Sequence, residues 1–279
     1  MVDSPPPTPP IQCWLWNGLH FELCHGIPMS DRGFRYGMSV FESMRVKDGH
    51  VCFLPEHLAS VSDAARRKQF QFPLDSLKHV GSVLRTITGS AFARIYITAG
   101  DGPPQAPAAN CRVALICESR ERVLPDSYSV ILHTRTRRNE FENLKTGNYW
   151  TNITAFSGAL DQGANEALLL NPHDRLIGCA MANVFLKIRG RWVTPPAEDG
   201  ARRGVAREWV RANMTVDTRT IYREEIDAAS EVFLTSSWIG IMPATSLEGR
   251  SLEETAEIQE LRERLEWVCS TGVTHRPHP

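Results

Sequence analysis

Alternating apolar and polar positions open the chain and predict a β-hairpin. The odd positions are apolar over 11–15, the alternation resumes over 19–23, and Asn17-Gly18 lies between the two runs. Asn-Gly accepts the positive φ angles of a two-residue type I′ turn. The pattern therefore predicts a tight hairpin whose odd-numbered side chains face the core.

A second hairpin and two helices complete a first predicted domain. The runs FESMRV and HVCFL flank Asp48-Gly49, another type I′ sequence. Apolar residues at helical spacing predict helices over 55–70 and 74–87, and strand-like runs follow at 92–98 and 112–118. Strands, then helices, then strands are typical of an α+β domain with helices on one face of a mostly antiparallel sheet.

The second half of the chain alternates strands and helices again. Its predicted elements are a strand YSVILHT, a helix NITAFSGALDQ, a buried strand EALLL, a hairpin of ANVFLKI and RWVTP around Arg189-Gly190, a helix GVAREWVRANM, a strand EVFLT and a closing helix over 252–268. We expect a small N-terminal α+β domain over 11–122 and a larger C-terminal domain over 123–270. The proline-rich 1–10 and the segment 271–279 are expected to be disordered tails.

Composition and charge narrow the classes of partner. With 31 Lys and Arg against 32 Asp and Glu, the net charge of −1 gives no strong field for nucleic acid or an anionic membrane. The chain has no run of about 18 apolar residues and no secretory signal pattern, so we expect a cytoplasmic protein with small-molecule partners. Its 7 cysteines are scattered without a C-x-x-C pair and are interpreted as reduced thiols.

Two segments are candidates for chemistry. Known nucleophile, nucleotide and zinc motifs are absent, no metal site is expected, and His57 and His133 are interpreted as surface or satisfied core residues. ARRGVAREWV places Gly204 just before a predicted helix, whose free N–H groups and dipole favour an anion. Lys145 lies beside apolar and aromatic residues, where desolvation or a nearby cation makes a lysine nucleophilic.

Five segments in order resemble one enzyme family. They are SDRGFRYGMSVFESMRV, LKTGNYW, NEALLLNPHDRLIGCAMANVFLKIRGRWVTPP, GVAR and ASEVFLTSSWIGIMPA. The sequence resembles the class IV aminotransferases, fold-type IV pyridoxal phosphate enzymes that include branched-chain and D-amino acid aminotransferases and aminodeoxychorismate lyase. The motif detail is most similar to aminodeoxychorismate lyase. The resemblance implies a two-domain α/β (α+β) fold like that of D-amino acid aminotransferase, with the cofactor between the domains, and a homodimer.

The resemblance also assigns residues to a site. It makes Lys145 the catalytic lysine that forms a Schiff base with pyridoxal 5'-phosphate and moves a proton at the substrate carbon. Tyr36 and Arg94 match positions that hold the substrate carboxylate. The implied cofactor-binding residues are Lys145, Tyr149, Asn183, Gly204, Val205, Ala206, Ser236 and Ser237. The implied substrate is a small amino acid or aminodeoxychorismate.

Several departures from the family pattern fall on cofactor contacts, among them Ala180 and Met181 before Asn183, and Met38-Ser39 after Tyr36-Gly37. Ser60 replaces a phosphate-binding arginine, Gly178 replaces the acid that keeps the pyridine nitrogen protonated, and Ala206 replaces a threonine of the phosphate turn. A charged phosphate contact contributes about 1.5–3 kcal/mol, so weaker cofactor binding is expected unless Arg202, Arg203, Arg207 or another segment substitutes. An alternative therefore stays open: a family member that has lost canonical cofactor binding and serves as a binding protein or a different enzyme.

Overall fold

The chain divides into two compact units between Val123 and Leu124. This computed structural model describes residues 10–133, 143–253 and 255–271. The expected tails 1–10 and 271–279 therefore lie outside the described residues, except for Pro10 and Thr271. Among the residues that are described, no helix is both long and apolar enough to cross a bilayer. The same residues contain no group of three His, Cys, Asp or Glu side chains that could hold a metal ion.

The first unit is a six-stranded sheet with three helices. The elements are β1 (Ile11–Trp16), β2 (Phe21–Cys24), α1 (Arg32–Tyr36), β3 (Ser39–Lys47), β4 (His50–Val51), α2 (Leu54–Arg67), α3 (Ser76–Leu84), β5 (Ser90–Thr98) and β6 (Arg112–Ser119). All the strand pairs of the sheet are antiparallel, in the order β2-β1-β6-β5-β3-β4. The predicted order of strands, helices and strands is thus observed, with α1 added between the hairpins.

The first hairpin forms, but its loop and its buried face differ from the prediction. Trp16 pairs with Phe21, so residues 17–20 form the loop instead of a two-residue turn. The Asn17 side chain accepts the N–H groups of Leu19 and His20, each at 2.9 Å, which closes the loop as an Asx turn. Trp14 is buried whereas Ile11 is exposed, so an even position faces the core. The large aromatic area of Trp14 outweighs the smaller apolar residues at odd positions.

The second hairpin has the predicted geometry. Lys47 pairs with His50, and the intervening Asp48 and Gly49 have φ angles of 47° and 76°. Both angles are positive, as a type I′ turn requires. The strand after the turn is shorter than expected, because β4 ends at Val51.

A buried arginine holds the segment 99–107 against α1. Arg32 is fully buried and donates hydrogen bonds to the carbonyls of Gly100 at 3.1 Å and Ala106 at 2.7 Å, among others. The neighbouring Asp31 accepts from Thr98 at 2.7 Å and Arg112 at 2.8 Å. The guanidinium group therefore satisfies carbonyls that this irregular segment cannot pair within itself.

Over its described residues, the second unit is a nine-stranded mixed sheet with four α-helices. The elements are β7 (Tyr128–Leu132), α4 (Trp150–Asp161), β8 (Glu166–Leu170), β9 (Leu176–Cys179), β10 (Asn183–Ile188), β11 (Arg191–Thr194), α5 (Val205–Asn213), β12 (Asp217–Thr218), α6 (Arg223–Ile226), β13 (Ala229–Ser236), β14 (Gly240–Leu247), β15 (Arg250–Ser251) and α7 (Ala256–Thr271). Strand β7 pairs in parallel with β14 and β8, while β13 pairs antiparallel with both β10 and β14. A 3-10 turn at Ala197–Asp199 precedes α5. The core includes Phe185 stacked on Phe233, with ring centroids 4.6 Å apart.

The cysteines correct one expectation. Cys13, Cys24, Cys111, Cys117 and Cys179 are free thiols. Cys52 and Cys269 are disulfide-bonded, so the prediction that all seven thiols are reduced is wrong. Scattered spacing in the sequence does not determine which thiols the fold brings within bonding distance.

Candidate active site

A cavity in the second unit brings together eight of the predicted site residues. It is bounded by the segment before α4 and by parts of β8, β9, β10, α5 and β13. The predicted residues that line it are Lys145, Tyr149, Asn183, Gly204, Val205, Ala206, Ser236 and Ser237. The fold thus collects residues that are far apart in sequence, while their individual roles stay predictions.

The lysine side of the cavity is fixed by the start of α4. Lys145 and Tyr149 are half-buried, and Thr146 between them is buried. Asn152, on the first turn of α4, donates its amide to the carbonyl of Ala180 at 2.7 Å. Ala180 follows β9 and also lines the cavity, so this bond ties the helix to another part of the cavity wall. The helix that follows Lys145 is therefore anchored at its first turn.

The start of α5 forms a tight turn in the cavity wall. The carbonyl of Arg202 accepts the N–H of Gly204 at 3.0 Å and the side-chain amide of Asn183 at 2.8 Å. A Cβ at Gly204 would lie 2.2 Å from Asn183 Oδ1, so this close approach favours glycine unless Asn183 moves. Gly204 is also the N-cap of α5 and offers no side chain to cap it. The N–H groups of its first turn have no intrahelical acceptor and favour an anion.

Two buried hydroxyl groups in the cavity wall have no hydrogen-bond partner within the described part of the chain. Thr235 Oγ1 belongs to a fully buried residue of β13, and Thr151 Oγ1 to a residue of α4 that is 9% exposed. Both residues line the cavity. Buried hydroxyl groups are normally hydrogen-bonded, so these two indicate a polar ligand or ordered water. The sequence analysis did not find either threonine, and the only local signal is that Thr235 precedes the two predicted serines.

The charge of the cavity wall is one-sided. Among its described residues, the cationic side chains are Lys145 and Arg202, and no Asp or Glu is present. A carboxylate does lie behind the wall, where Glu166 accepts the N–H groups of Ala167 at 3.0 Å and Met181 at 3.1 Å. Burial raises the pKa of Glu166 to about 7, although these hydrogen bonds act in the opposite direction.

Two of the departures from the family pattern have structural explanations. Ser60 donates its hydroxyl to Glu42 at 2.8 Å, and His57 Nδ1 lies 3.2 Å from the other oxygen of that carboxylate. His57 and Glu42 are buried, which confirms His57 as a satisfied core histidine. Gly178 has a φ of +141°, a conformation that residues with a side chain rarely adopt. The backbone at the position of the missing acid is thus suited to glycine.

The two predicted substrate residues lie in the first unit. Tyr36 ends α1 and is 40% exposed, and the guanidinium carbon of Arg35 lies 4.9 Å from its ring centroid. Arg94 is half-buried in β5, opposite Ser43 of β3. Their role in binding a substrate carboxylate stays a prediction.

Comparisons with known proteins agree with this arrangement. The family model described as Amino-transferase class IV matches residues 39–247, more than half of the chain. The chain is 25% identical to aminodeoxychorismate lyase of Bacillus subtilis, over 83% of this chain and 86% of the relative. It is 26% identical to branched-chain-amino-acid aminotransferase-like protein 2 of Arabidopsis thaliana, over 90% of this chain but only 49% of that relative.

Solved structures show the same fold. A branched-chain aminotransferase from Thermoproteus uzoniensis, solved with norvaline, superimposes with a TM-score of 0.82 and 20% identity. That match covers 92% of this chain and 94% of the other. The two-domain fold-type IV architecture is therefore confirmed, and the family match extends from β3 to β14. The chain belongs to the class IV aminotransferases, a family of enzymes that depend on pyridoxal phosphate.

Proposed function

We propose that this enzyme binds pyridoxal phosphate through Lys145 and acts on a small amino acid or on aminodeoxychorismate. One observation carries the proposal. Lys145, the start of α5 at Gly204 and the hydroxyl residues Ser236 and Ser237 all line the same cavity of the second unit. An amine and an anion site in the same cavity match a ligand that has an aldehyde and a phosphate.

The donor set fits the phosphate end of the cofactor. The backbone N–H groups of Val205 and Ala206 belong to the first turn of α5, and Gly204 leaves that turn open because it has no side chain. Ser237 supplies a further hydroxyl in the wall. The two unpartnered threonine hydroxyls are consistent with a polar ligand in the cavity. The cavity therefore accepts the cofactor even though the threonine of the phosphate turn is Ala206.

The chain's own residues then have separate tasks. Pyridoxal phosphate, when bound, supplies the aldehyde that captures an amine and the ring that withdraws electrons from the substrate carbon. Lys145 holds the cofactor and moves a proton at that carbon. We assign Tyr149, which lines the same wall, to the oxygen substituent of the ring. Tyr36 and Arg94 remain our candidates for the substrate carboxylate.

Absorbance of the purified protein tests the proposal. The wild-type protein with added cofactor should absorb near 410 nm, roughly where Schiff bases of pyridoxal absorb. Lys145→Ala should lose this band, because no amine remains to bond the aldehyde. Lys78→Ala is the matched control, since Lys78 lies on the surface of α3 and pairs only locally with Asp75. A band that persists in Lys145→Ala contradicts the assignment of this lysine.

The choice between lyase and aminotransferase chemistry needs a turnover assay. We favour the lyase, because the segments LKTGNYW, CAMANVF and TSSWIGIMP are most similar to aminodeoxychorismate lyase. A lyase releases pyruvate and 4-aminobenzoate from aminodeoxychorismate continuously, without an oxo acid. An aminotransferase stalls after one turnover unless an oxo acid is supplied. Turnover that stops without an added oxo acid, with no continuous release of pyruvate from aminodeoxychorismate, would assign the chain to the aminotransferases.

A second candidate function is a family member without the usual cofactor chemistry. Its support is specific: Ser60 is hydrogen-bonded to Glu42, and no carboxylate lines the described part of the cavity. A pyridine ring without an acidic partner is a weaker electron acceptor. A protein that stays colourless and gives no heat signal on titration with pyridoxal phosphate would favour this function over the first.

We also propose that the protein forms a homodimer through the exposed face of α4. Trp150 is 77% exposed, Ile153 45% and Leu160 51%. Their spacing places the three side chains within about 80° around the helix axis. Exposed apolar residues that share one face of a helix are typical of interaction surfaces. Light scattering should give a dimer mass, and Trp150→Glu should shift it towards the monomer.

A further inference from the structure

The three arginines near the start of α5 have very different surroundings. Arg202, Arg203 and Arg207 each lie within three residues of Gly204, where the phosphate is proposed to bind. Each is therefore a candidate to replace the cation that the family pattern has at Ser60. Their positions decide which of them faces the cavity, because a phosphate contact requires the guanidinium group on the cavity side of the turn.

Arg207 is occupied within the fold. It is 2% exposed, and it donates to the carbonyl of Pro195 at 2.9 Å. It also pairs with Glu208 and lies 3.4 Å from Thr194 Oγ1. This set of partners uses each nitrogen of the guanidinium group, so Arg207 serves to anchor α5 on the sheet.

Arg203 points to solvent. Its side chain is 72% exposed, and its nearest acidic partner, Glu198, is 78% exposed at 4.0 Å. It does not line the cavity within the described part of the chain. An exposed side chain of this kind contributes little to binding in a cleft.

Arg202 is the arginine of this group that lines the cavity. Its side chain is half-buried, and its carbonyl is held by Gly204 and Asn183 at 3.0 and 2.8 Å. These bonds fix its backbone two residues before the first turn of α5. The fork of a guanidinium group matches two phosphate oxygens, and Arg202 lies two residues before the Gly204 turn in the same cavity wall.

We propose that Arg202 binds the phosphate of the cofactor, and so replaces the cation absent at Ser60. The inference rests on the proposed function, because it assumes that the cavity holds pyridoxal phosphate. The unpartnered hydroxyls of Thr151 and Thr235 support it independently, since they indicate that the same cavity takes up polar ligand atoms or ordered water. The anion site then consists of backbone N–H groups, serine hydroxyls and one arginine, all from the second unit.

A comparison of two ligands tests this assignment. Pyridoxal carries the same aldehyde and ring as pyridoxal phosphate but has no phosphate. Cofactor-free protein is titrated with each ligand, and binding is followed by absorbance. Arg202→Met should bind pyridoxal phosphate about 10- to 100-fold more weakly than wild type, while its affinity for pyridoxal stays unchanged.

Two variants serve as controls. Arg203→Met removes a neighbouring charge outside the cavity and should bind both ligands like wild type. Arg202→Lys keeps the charge but loses the fork, and it should recover part of the affinity for pyridoxal phosphate. Thermal unfolding of all variants identifies any loss of fold.

The outcomes separate the two proposals. Wild-type affinity of Arg202→Met for pyridoxal phosphate overturns the inference and leaves the proposed function intact. An equal loss for pyridoxal phosphate and pyridoxal also overturns it, because the arginine then acts on something other than the phosphate. Failure of the wild-type protein to bind either ligand overturns the proposed function, and the inference falls with it.

Discussion

The buried carboxyl of Glu166 should make the stability of the protein depend on pH. Burial raises its pKa from 4.5 to about 7 in the folded state. The folded protein therefore holds this proton more tightly than the unfolded chain. Between about pH 4.5 and 7 the folded state binds more protons, so the free energy of unfolding falls as pH rises. A shift of about 2.5 pKa units corresponds to about 3 kcal/mol lost across this window.

Glu166→Gln removes the titrating group and keeps a side chain of the same size. The amide oxygen can still accept one of the N–H groups of Ala167 and Met181, and the loss of the other acceptor costs about 1–3 kcal/mol at every pH. The pH dependence is therefore the informative quantity, and the absolute stability is not. From about pH 4.5 to 8, wild type should lose about 3 kcal/mol more stability than Glu166→Gln.

Urea unfolding at a series of pH values measures this difference. Other carboxyl groups contribute equally to both proteins, so their effects cancel in the comparison. Glu260→Gln is the matched control, because Glu260 is exposed on α7. Parallel pH profiles for wild type and Glu166→Gln would refute the claim that burial raises the pKa of this carboxyl to about 7.

Three further substitutions test the packing around the site and the cores. Gly204→Ala should destabilise the fold by about 1–3 kcal/mol and weaken cofactor binding, because the new Cβ would lie 2.2 Å from Asn183 Oδ1. Thermal unfolding measures the stability, and titration with the cofactor measures the affinity. The double variant Gly204→Ala with Asn183→Ala should regain stability. Arg32→Met should lower the free energy of unfolding in urea by about 3 kcal/mol or more and make residues 99–107 accessible to proteases. A variant that resists proteolysis in this segment would contradict the role of Arg32 in holding it. Phe233→Ala should lose about 3–5 kcal/mol of unfolding free energy, since its ring stacks on Phe185 within the core; a loss below 1 kcal/mol would show that this core collapses readily.

Local sequence chemistry predicted the elements that depend on local geometry. Asp48-Gly49 and Arg189-Gly190 adopt the positive φ angles expected of two-residue turns. The buried face of β1 depends instead on which face of the sheet packs against the core. There Trp14 is buried, although the smaller apolar residues of the strand occupy the odd positions. Strand β9 was not predicted, because four residues that include Gly178 give too short a pattern.

In the site, only the residues that belong to sequence motifs could be predicted. The resemblance named Lys145 and the turn at Gly204, and the fold brings both to one cavity. Thr235 enters that cavity through the pairing of β13 with β10, where it lies opposite Asn183. Such a register between distant segments leaves no mark in the sequence of either segment. The same holds for the different surroundings of Arg202 and Arg207.

The backbone at Gly178 limits how this enzyme can be redesigned. With φ at +141°, any residue that carries a Cβ is strained by roughly 1–3 kcal/mol before its side chain makes a single contact. A carboxylate introduced here by a single substitution therefore costs stability from the backbone alone. A variant that first relaxes the backbone of β9 around this position should carry the new side chain with less strain.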